Sequence, residues 1–507
     1  MPAIVLATIN ARYIHASLGL RWLKANLAGL AAETQILEFT LEDRAADMAE
    51  AILAAGPRIV GLGVYIWNAR QSRELVVLLK QVAPELVVVL GGPEVSHEPF
   101  RVDFGAADYI VQGEGELAFA ALSRDVLAGR QRAERIIAAR GPEPAALALP
   151  YDLYTDTDIA HRVLYIEASR GCPFGCEFCL SSLDRRLRFF KTATMLAELE
   201  KLWRRGARTF KFVDRSFNCS AHMALAILDF FLDKTPPFHA HFEVVPDHFP
   251  AAIRERLRRF PAGCLQLEIG IQTLKAGVAA AIGRRLDMEK IRENLRFLTQ
   301  ETAAHLHLDL IMGLPGESAL DFGDNLDQLM LWSAGQAEIQ LGILKKLSGT
   351  AITRHDEHFG MVYSPEPPYE LLQNHQIPFA AMQELGRMAR FWDLVVNSGN
   401  FRRTAPLLWQ DGRVFSGFSA FARWLFAETR ATWKIALPRL AELLFHYLVR
   451  ERACEPARCA NLLAADILTV KGRVLPAAIQ AHVTLVPVLH HRPARPLAKR
   501  QHRRQAY

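Results

Sequence analysis

Arg170-Gly171-Cys172-Pro173-Phe174-Gly175-Cys176-Glu177-Phe178-Cys179 sets three thiols in a C-x3-C-x2-C spacing directly after a strand-like run, Val163–Glu167. A loop this short brings three thiolates to one face, and Pro173 with two glycines suits a chain that must wrap what they hold. A structural zinc takes four protein ligands, and no fourth Cys or His lies close by. An iron–sulfur cluster on three thiolates keeps one iron open for a ligand that is not protein. The spacing therefore predicts a cluster on Cys172, Cys176 and Cys179, with Phe178 placed to shield it from water. The other four cysteines, Cys219, Cys264, Cys454 and Cys459, are scattered. Neither the odd total of seven nor the spacing suits a secreted disulfide framework.

Downstream of this loop, short apolar strands alternate with helices. Thr209–Val213, His239–Glu243, Cys264–Ile269, His307–Ile311 and Ala337–Leu344 read as strands. Ala193–Arg204, with Leu196, Leu199 and Leu202 on one face, and Met288–Thr299 read as helices. With Val163–Glu167, this is about six β/α units, a partial (β/α)6 barrel rather than a closed eight-stranded one.

Upstream, Ala3–Thr8, Gln35–Phe39, Arg58–Tyr65, Glu85–Leu90 and Asp108–Val111 read as strands, with helical patterns such as Ser17–Leu27 and Gln71–Gln81 between them. That alternation predicts a parallel, Rossmann-like sheet. Two strand ends carry glycine loops, Gly91-Gly92-Pro93-Glu94 and Gly113-Glu114-Gly115-Glu116. Each alone is ordinary turn chemistry; both at the carboxyl ends of one sheet point to a large cofactor. No G-x-G-x-x-G with a well-placed acid supports a dinucleotide.

At 507 residues the chain is too long for one core, and four regions are expected. These are a Rossmann-like domain over 1–145, the barrel over 155–365, a mostly helical domain over 370–490 and a basic tail over 491–507. The prolines of Gly141–Tyr154 mark a linker. The aromatic load of Trp392, Trp409, Phe415, Phe418, Phe421, Trp424 and Phe426 reads as core of the helical domain. The composition, half apolar and 22% charged, is that of a soluble globular protein. The net charge of +6 equals the six cations of Arg492–Arg504, so the rest of the chain is balanced at 54 basic and 54 acidic residues. A nucleic-acid partner is thus not expected. No run suits a membrane span, and Met1–Asn10 lacks a basic leader, so a cytoplasmic location is expected.

At the cysteine loop the sequence resembles the radical S-adenosylmethionine (SAM) enzymes, whose C-x3-C-x2-C loop holds a 4Fe–4S cluster that binds SAM at its open iron and cleaves it to a radical. The resemblance spans residues 160–345. Phe212-Val213-Asp214-Arg215-Ser216-Phe217-Asn218 looks like the second β/α unit, and Glu268-Ile269-Gly270-Ile271-Gln272-Thr273 is similar to a strand with a SAM-contacting polar residue. Asp309-Leu310-Ile311-Met312-Gly313-Leu314-Pro315-Gly316-Glu317 looks like the frequent D-x-x-x-G-x-P-G-E/Q stretch. The resemblance implies SAM contacts from Phe178, Asp214, Glu268, Gln272 and Asp309. Glu268, alone in an apolar strand and costly to bury unpartnered, leads them.

A Rossmann-like domain ahead of such a barrel resembles the radical SAM enzymes that bind cobalamin. Asn10-Ala11-Arg12-Tyr13-Ile14-His15, followed by Ser17-Leu18-Gly19, is similar to a subgroup with an extra C-terminal domain. The resemblance implies cobalamin contacts from Tyr13, Tyr65, Asn68, Gly91, Gly92, Glu94, Gly113, Glu114 and Gly115. The D-x-H-x-x-G string that puts a histidine on cobalt is missing: His15 has Tyr13 where the acid belongs and Leu18 where the glycine belongs. A cobalt without a histidine ligand is expected. The family implies methylation of an unactivated carbon of a small molecule, driven by a flavodoxin- or ferredoxin-like electron donor. A cobalamin-dependent cyclase or rearrangement catalyst, an RNA-modifying radical SAM enzyme and a cobalamin-binding sensor are the alternatives. No general base is identifiable.

Overall fold

The computed structural model describes residues 1–409 and 412–485, and the tail Arg492–Arg504 lies outside them. By contacts the chain divides into two units. The first is Met1–Glu243 with Lys345–Arg354 and Tyr363–Glu370; the second is Val244–Leu344 with His355–Val362 and the chain from Leu371 on.

The first unit begins with six parallel strands. They are β1 (Ile4–Asn10), β2 (Thr34–Thr40), β3 (Ile59–Gly63), β4 (Val87–Gly91), β5 (Tyr109–Gln112) and β6 (Ile136–Ala138), in the order β2-β1-β3-β4-β5-β6. Helices α1 (Leu18–Ala25), α2 (Ala45–Ala54), α3 (Ala69–Val82) and α4 (Glu116–Leu127) connect them. An apolar run such as Ile4-Val5-Leu6-Ala7 belongs in a strand covered on both faces. Along β1, Val5, Ala7 and Ile9 join one core cluster with Leu75 and Leu79, while Ile4 and Leu6 join another with Leu20 and Phe119. The order reverses at β1/β3, and the carboxyl ends beside such a switch point form a natural crevice. Edge strand β6, three residues long, went unread in the sequence, being shorter than a periodicity can show.

Gly141–Tyr154, expected as a linker, is packed instead. Tyr151 and Tyr154 are fully buried, and their hydroxyls donate to Glu167 O (3.1 Å) and Tyr165 O (2.8 Å). The prolines signalled a break in periodicity, but two buried aromatic rings outweigh it. Helix α5 (Asp156–His161) then leads into β7 (Leu164–Ile166). A short antiparallel ribbon of β8 (Ser169–Arg170) and β9 (Arg188–Phe189) brackets the cysteine loop. Helix α6 (Thr192–Arg204), β10 (Thr209–Phe212), α7 (Ala221–Leu232) and β11 (His239–Val244) follow, β10 pairing in parallel with both β7 and β11.

The second unit carries three more parallel strands, β12 (Leu265–Gln272), β13 (His305–Met312) and β14 (Glu338–Ile343), with helices α8 (Ala251–Arg259), α9 (Ala276–Ala281), α10 (Met288–Glu301) and α11 (Ala319–Trp332). Its later part is mainly helical, through Phe379–Trp392, Val414–Thr429, Leu437–Arg450 and Pro456–Ile467. Trp392, Phe418 and Phe421 are core, the Trp392 indole donating to Ile339 O (3.0 Å), whereas Trp409, Phe415, Trp424 and Phe426 are half-buried around them. Among the described residues no helix is long and apolar enough to cross a membrane.

Within the first unit, a buried ion quartet fastens the Rossmann-like sheet to the segment entering β7. Arg21 on α1 pairs with Glu38 on β2 (3.1 Å) and Asp158 on α5 (2.7 Å), and Arg162 pairs with the same two acids (2.8 and 3.3 Å). Burial opposes every one of these charges, so the quartet holds only as a complete set. Arg21→Ala strands two buried carboxylates on one guanidinium and is expected to cost ~3–5 kcal/mol, measured by urea unfolding of the full chain.

Candidate functional site

A cavity of about 790 Å³ opens in the first unit at the carboxyl ends of β3, β4 and β5. Gly61–Gly63, Tyr65, Val89–Pro93, Ser96, His97 and Gly113–Glu116 form one side; Glu167, Ser169–Gly171, Leu180, Ser181, Leu183 and Asp184, which flank the cysteine triad, form another. Gly92 has φ +111°, and a Cβ there would lie 2.5 Å from Val64 O, so only glycine fits this wall. Tyr65 stacks on Trp67 at 4.5 Å between ring centroids. Asn68 shapes that loop without lining the cavity: its Oδ1 accepts from Tyr65 N (2.7 Å) and its amide donates to Ile9 O (3.0 Å).

Of the cobalamin-contact candidates, Tyr65, Gly91, Gly92, Gly113, Glu114 and Gly115 line this cavity, while Tyr13, Asn68 and Glu94 do not. Tyr13 is exposed, with the Arg162 guanidinium 4.4 Å from its ring centroid. Glu94 is buried and accepts from the Tyr369 hydroxyl. His15 turns to the Tyr165 hydroxyl (2.7 Å) and does not line the cavity. His97 does line it. No periodicity marks His97, because the short turn Pro93–Val95 brings it back towards the strand ends.

Charge joins the two sides of the cavity. Arg170, buried, pairs with Glu116 (2.6 Å) and Glu114 (2.8 Å) from the second glycine loop and with Glu167 (3.1 Å) at the end of β7. Arg188, also buried, pairs with Glu114 and with Asp184 (2.7 Å). Trp22 faces the Arg170 guanidinium at 4.8 Å and stacks on Phe190. The pairs with Arg188 and Arg170 overcome burial and hold the Glu114 carboxyl below its ordinary value. Glu167 goes the other way, pushed up to about 7: burial outweighs Arg170, and Asp214 and Glu116 add repulsion.

None of the three triad thiols is in a disulfide; Cys172 is buried and Cys176 and Cys179 are half-buried. Cys172 N donates to Asp184 O (2.9 Å) and Cys179 N to Cys176 O (3.1 Å), which closes the loop on itself. Burial pushes the Cys172 thiol up, and the nearby Cys179 and Cys176 reinforce it. Among the described residues no group of three His, Cys, Asp or Glu side chains is already gathered as a metal-holding set. The donor chemistry still fits an iron–sulfur cluster: three thiols, none in a disulfide, on one tight loop and within electrostatic reach of one another. The glycine-walled cavity beside them likewise fits a large, flat cofactor.

Asp214, at the end of β10, is buried and accepts from Ala168 N (3.0 Å) and Ser169 Oγ (2.5 Å); burial raises its carboxyl to about 6. It braces the strand leading into the cysteine loop. Phe178 is half-buried in that loop. Glu268, Gln272 and Asp309 belong to the second unit. There Glu268 pairs in register with His307, and Asp309 with both Gly270 and Gln340, so the polar residues of β12, β13 and β14 share one sheet face.

Residues 4–123 match the B12 binding domain family, residues 166–329 the Radical SAM superfamily, and residues 357–484 a protein family of unknown function, DUF4080. By these matches a B12-binding domain precedes a Radical SAM domain in the chain. Among curated proteins it is similar to the cobalamin-dependent radical SAM methyltransferase TokK of Streptomyces tokunonensis, 27% identical over 59% of this chain and 48% of that protein. It also matches the 2-(S-pantetheinyl)-carbapenam-3-carboxylate methyltransferase of Streptantibioticus cattleyicolor, 26% identical over 55% of this chain and 46% of that protein. The chain thus spans about half the length of these curated relatives. Among solved structures, the cobalamin-dependent SAM radical enzyme OxsB with aqua-cobalamin bound superposes with a TM-score of 0.62 at 14% identity, over 95% of this chain and 79% of that one. At that identity the likeness is one of fold.

Two outcomes follow from the site geometry. Gly92→Ala forces the backbone away from Val64 and is expected to weaken corrinoid retention by about tenfold or more, read from the absorbance of protein after gel filtration with added cobalamin. Glu167 favours its neutral form in the fold, so its stabilising contribution is full below its ordinary 4.5 and is lost as pH rises through about 7. Glu167→Gln removes that loss, and the variant should gain stability relative to the parent between about pH 5 and pH 8, followed by denaturant unfolding at each pH.

Proposed function

We propose that this chain is a cobalamin-dependent radical SAM methyltransferase acting on an unactivated carbon of a small molecule. One observation carries the reading: the C-x3-C-x2-C loop and the glycine-walled cavity belong to one unit and are joined by Arg170. Cys172, Cys176 and Cys179 would hold the 4Fe–4S cluster. Tyr65, Gly91, Gly92, Gly113, Glu114 and Gly115, with His97, would hold the corrin. When bound, the cluster supplies the electron that cleaves SAM, and cobalamin supplies the methyl group.

The chain's own groups bind, orient and exclude water. Arg170 and Arg188 gather the acids of both loops, which keeps the cavity walls in register with the triad. Trp22 and Phe190 cover the Arg170 guanidinium from solvent. Asp214 fixes the entry to the cysteine loop through Ala168 and Ser169. Glu268, Gln272 and Asp309 offer acceptors on a polar sheet face for the amino and hydroxyl groups of SAM. A flavodoxin- or ferredoxin-like carrier would supply the electron. The assignment of a small-molecule substrate draws on the carbapenam named for one relative.

The decisive experiment is anaerobic reconstitution of the full chain with iron, sulfide, cobalamin and SAM. The parent should cleave SAM and retain corrinoid, and the triple variant Cys172→Ala/Cys176→Ala/Cys179→Ala should lose cluster absorbance and SAM cleavage while Cys219→Ala keeps both. A full iron and sulfide content in the triple variant overturns the cluster assignment. A product of unchanged mass in place of a methylated one turns the reading towards a cyclase or rearrangement catalyst.

A further inference from the structure

Two short stretches that follow β14, Lys345–Arg354 and Tyr363–Glu370, pack within the first unit, although the chain on either side of them belongs to the second. They are joined to each other: Lys345 bridges Glu370, and Lys346 N donates to Tyr369 O (3.0 Å). The second stretch falls inside the region that matches the family of unknown function. Tyr369 is fully buried with φ +57°, and the Arg101 guanidinium stands 4.4 Å from its ring centroid. Its hydroxyl donates to the buried Glu94. A tyrosine in the left-handed region is strained and persists only where its surroundings over-determine it. A buried tyrosine–carboxyl pair also costs more than apolar filling of the same space, so packing alone does not account for it.

The two stretches grip both loops of the cofactor site. Glu94 belongs to the turn Pro93–Val95; Pro93, Ser96 and His97 line the cavity, while Glu94 and Val95 do not. Tyr369 therefore holds from behind a turn whose front is cavity wall. Gly349, with φ +81°, runs against His97: a Cβ there would lie 2.4 Å from His97 Cγ, so a side chain at 349 would displace the ring. At the other end, fully buried Ile352 donates its N–H to Glu177 O (2.9 Å), and Arg354 pairs with the Glu177 carboxylate. Glu177 stands between Cys176 and Phe178 in the cysteine loop. The first glycine loop and the cysteine loop thus share these contacts, whereas Arg170 joins the cysteine loop to the second glycine loop.

We propose that the two stretches are a strap that couples the two cofactor sites, with Tyr369 as its positioning residue. Once the thiolates of the cysteine loop hold a cluster, that loop is fixed, Glu177 fixes the strap, and Tyr369 and Gly349 hold the cavity wall ready for the corrinoid. Ordering completed at one site need not be repeated at the other, and that saving is the coupling. Tyr369 does not line the cavity and acts only through Glu94. The inference rests on the cluster and cobalamin readings above and goes beyond them in linking their two binding equilibria.

The test measures the Kd of the full chain for hydroxocobalamin by anaerobic equilibrium dialysis, with and without the reconstituted cluster. In the parent, the cluster should lower that Kd by about fivefold or more. Tyr369→Phe at the cavity end and Arg354→Ala at the cysteine end should each bring the ratio of the two Kd values to within about twofold of unity. Glu94→Gln keeps an acceptor for the Tyr369 hydroxyl and should keep the parental ratio. Arg354 is 62% exposed, so its loss leaves the fold intact and decides the matter if Tyr369→Phe does not fold. A strap that only braces the fold predicts a Kd raised equally in both forms, with the parental ratio preserved. That result overturns the proposal and assigns the coupling to Arg170; a parent whose Kd ignores the cluster overturns it as well. A parent that retains no corrinoid in either form defeats the cobalamin reading, and one that assembles no cluster defeats the cluster reading, each taking this inference with it.

Discussion

The placement of Arg170 is the constraint on which the site depends. Its guanidinium sits two residues before Cys172 and reaches Glu114, Glu116 and Glu167 together. Without the Glu114 and Glu116 carboxylates the buried guanidinium would be left unmatched in a medium that tolerates charge poorly, while Glu167 serves it as a hydrogen-bond acceptor in either protonation state. Arg's planar fork, with several donors in fixed directions, is what lets one side chain meet three acids from two loops. Arg188 repeats the arrangement from the other strand of the ribbon, reaching Glu114 and Asp184. The wall of the cavity and the loop of the triad are therefore tied by ionic contacts within the first unit.

The two units spend their polar groups differently. In the first, ions are gathered into closed sets, Arg21–Glu38–Asp158–Arg162 and Arg170–Glu114–Glu116–Glu167, and most charges meet an opposite partner. These sets fasten elements far apart in the chain. In the second, β12, β13 and β14 carry Glu268, His307, Asp309 and Gln340 along one face, backed by apolar residues on the other. A strand with alternating polarity inside a β/α layout presents its polar side to something other than a core.

Much of this was legible from residues alone. The strands of both regions were found from short Val- and Ile-rich runs, since periodicity of two and of 3.6 is a local property. The triad needed only its spacing, because three thiols on so short a loop have few other uses. The helical C-terminal region and its aromatic core were also readable, as Trp392, Phe418 and Phe421 show. Tyr13, Asn68 and Glu94 were harder. All three flank the right loops, but their side chains are drawn to Arg162, Ile9 and Tyr369, partners from other elements. Residues 141–154 depart from a linker for the same reason: Tyr151 and Tyr154 find their bonds at Glu167 and Tyr165.

By itself the sequence determined most of the elements and their order, that three thiolates would share one loop, and that two glycine loops would end strands of one sheet. Those features rest on local geometry and on spacing, which are present in the chain before it folds. The tertiary structure decided which side chains meet. It brought His97 to the cavity, set Arg170 among three acids, and closed Glu317 on Thr273. Hydrogen bonds and ion pairs of this kind act over about 3 Å between residues tens to hundreds of positions apart, and no local pattern carries that information.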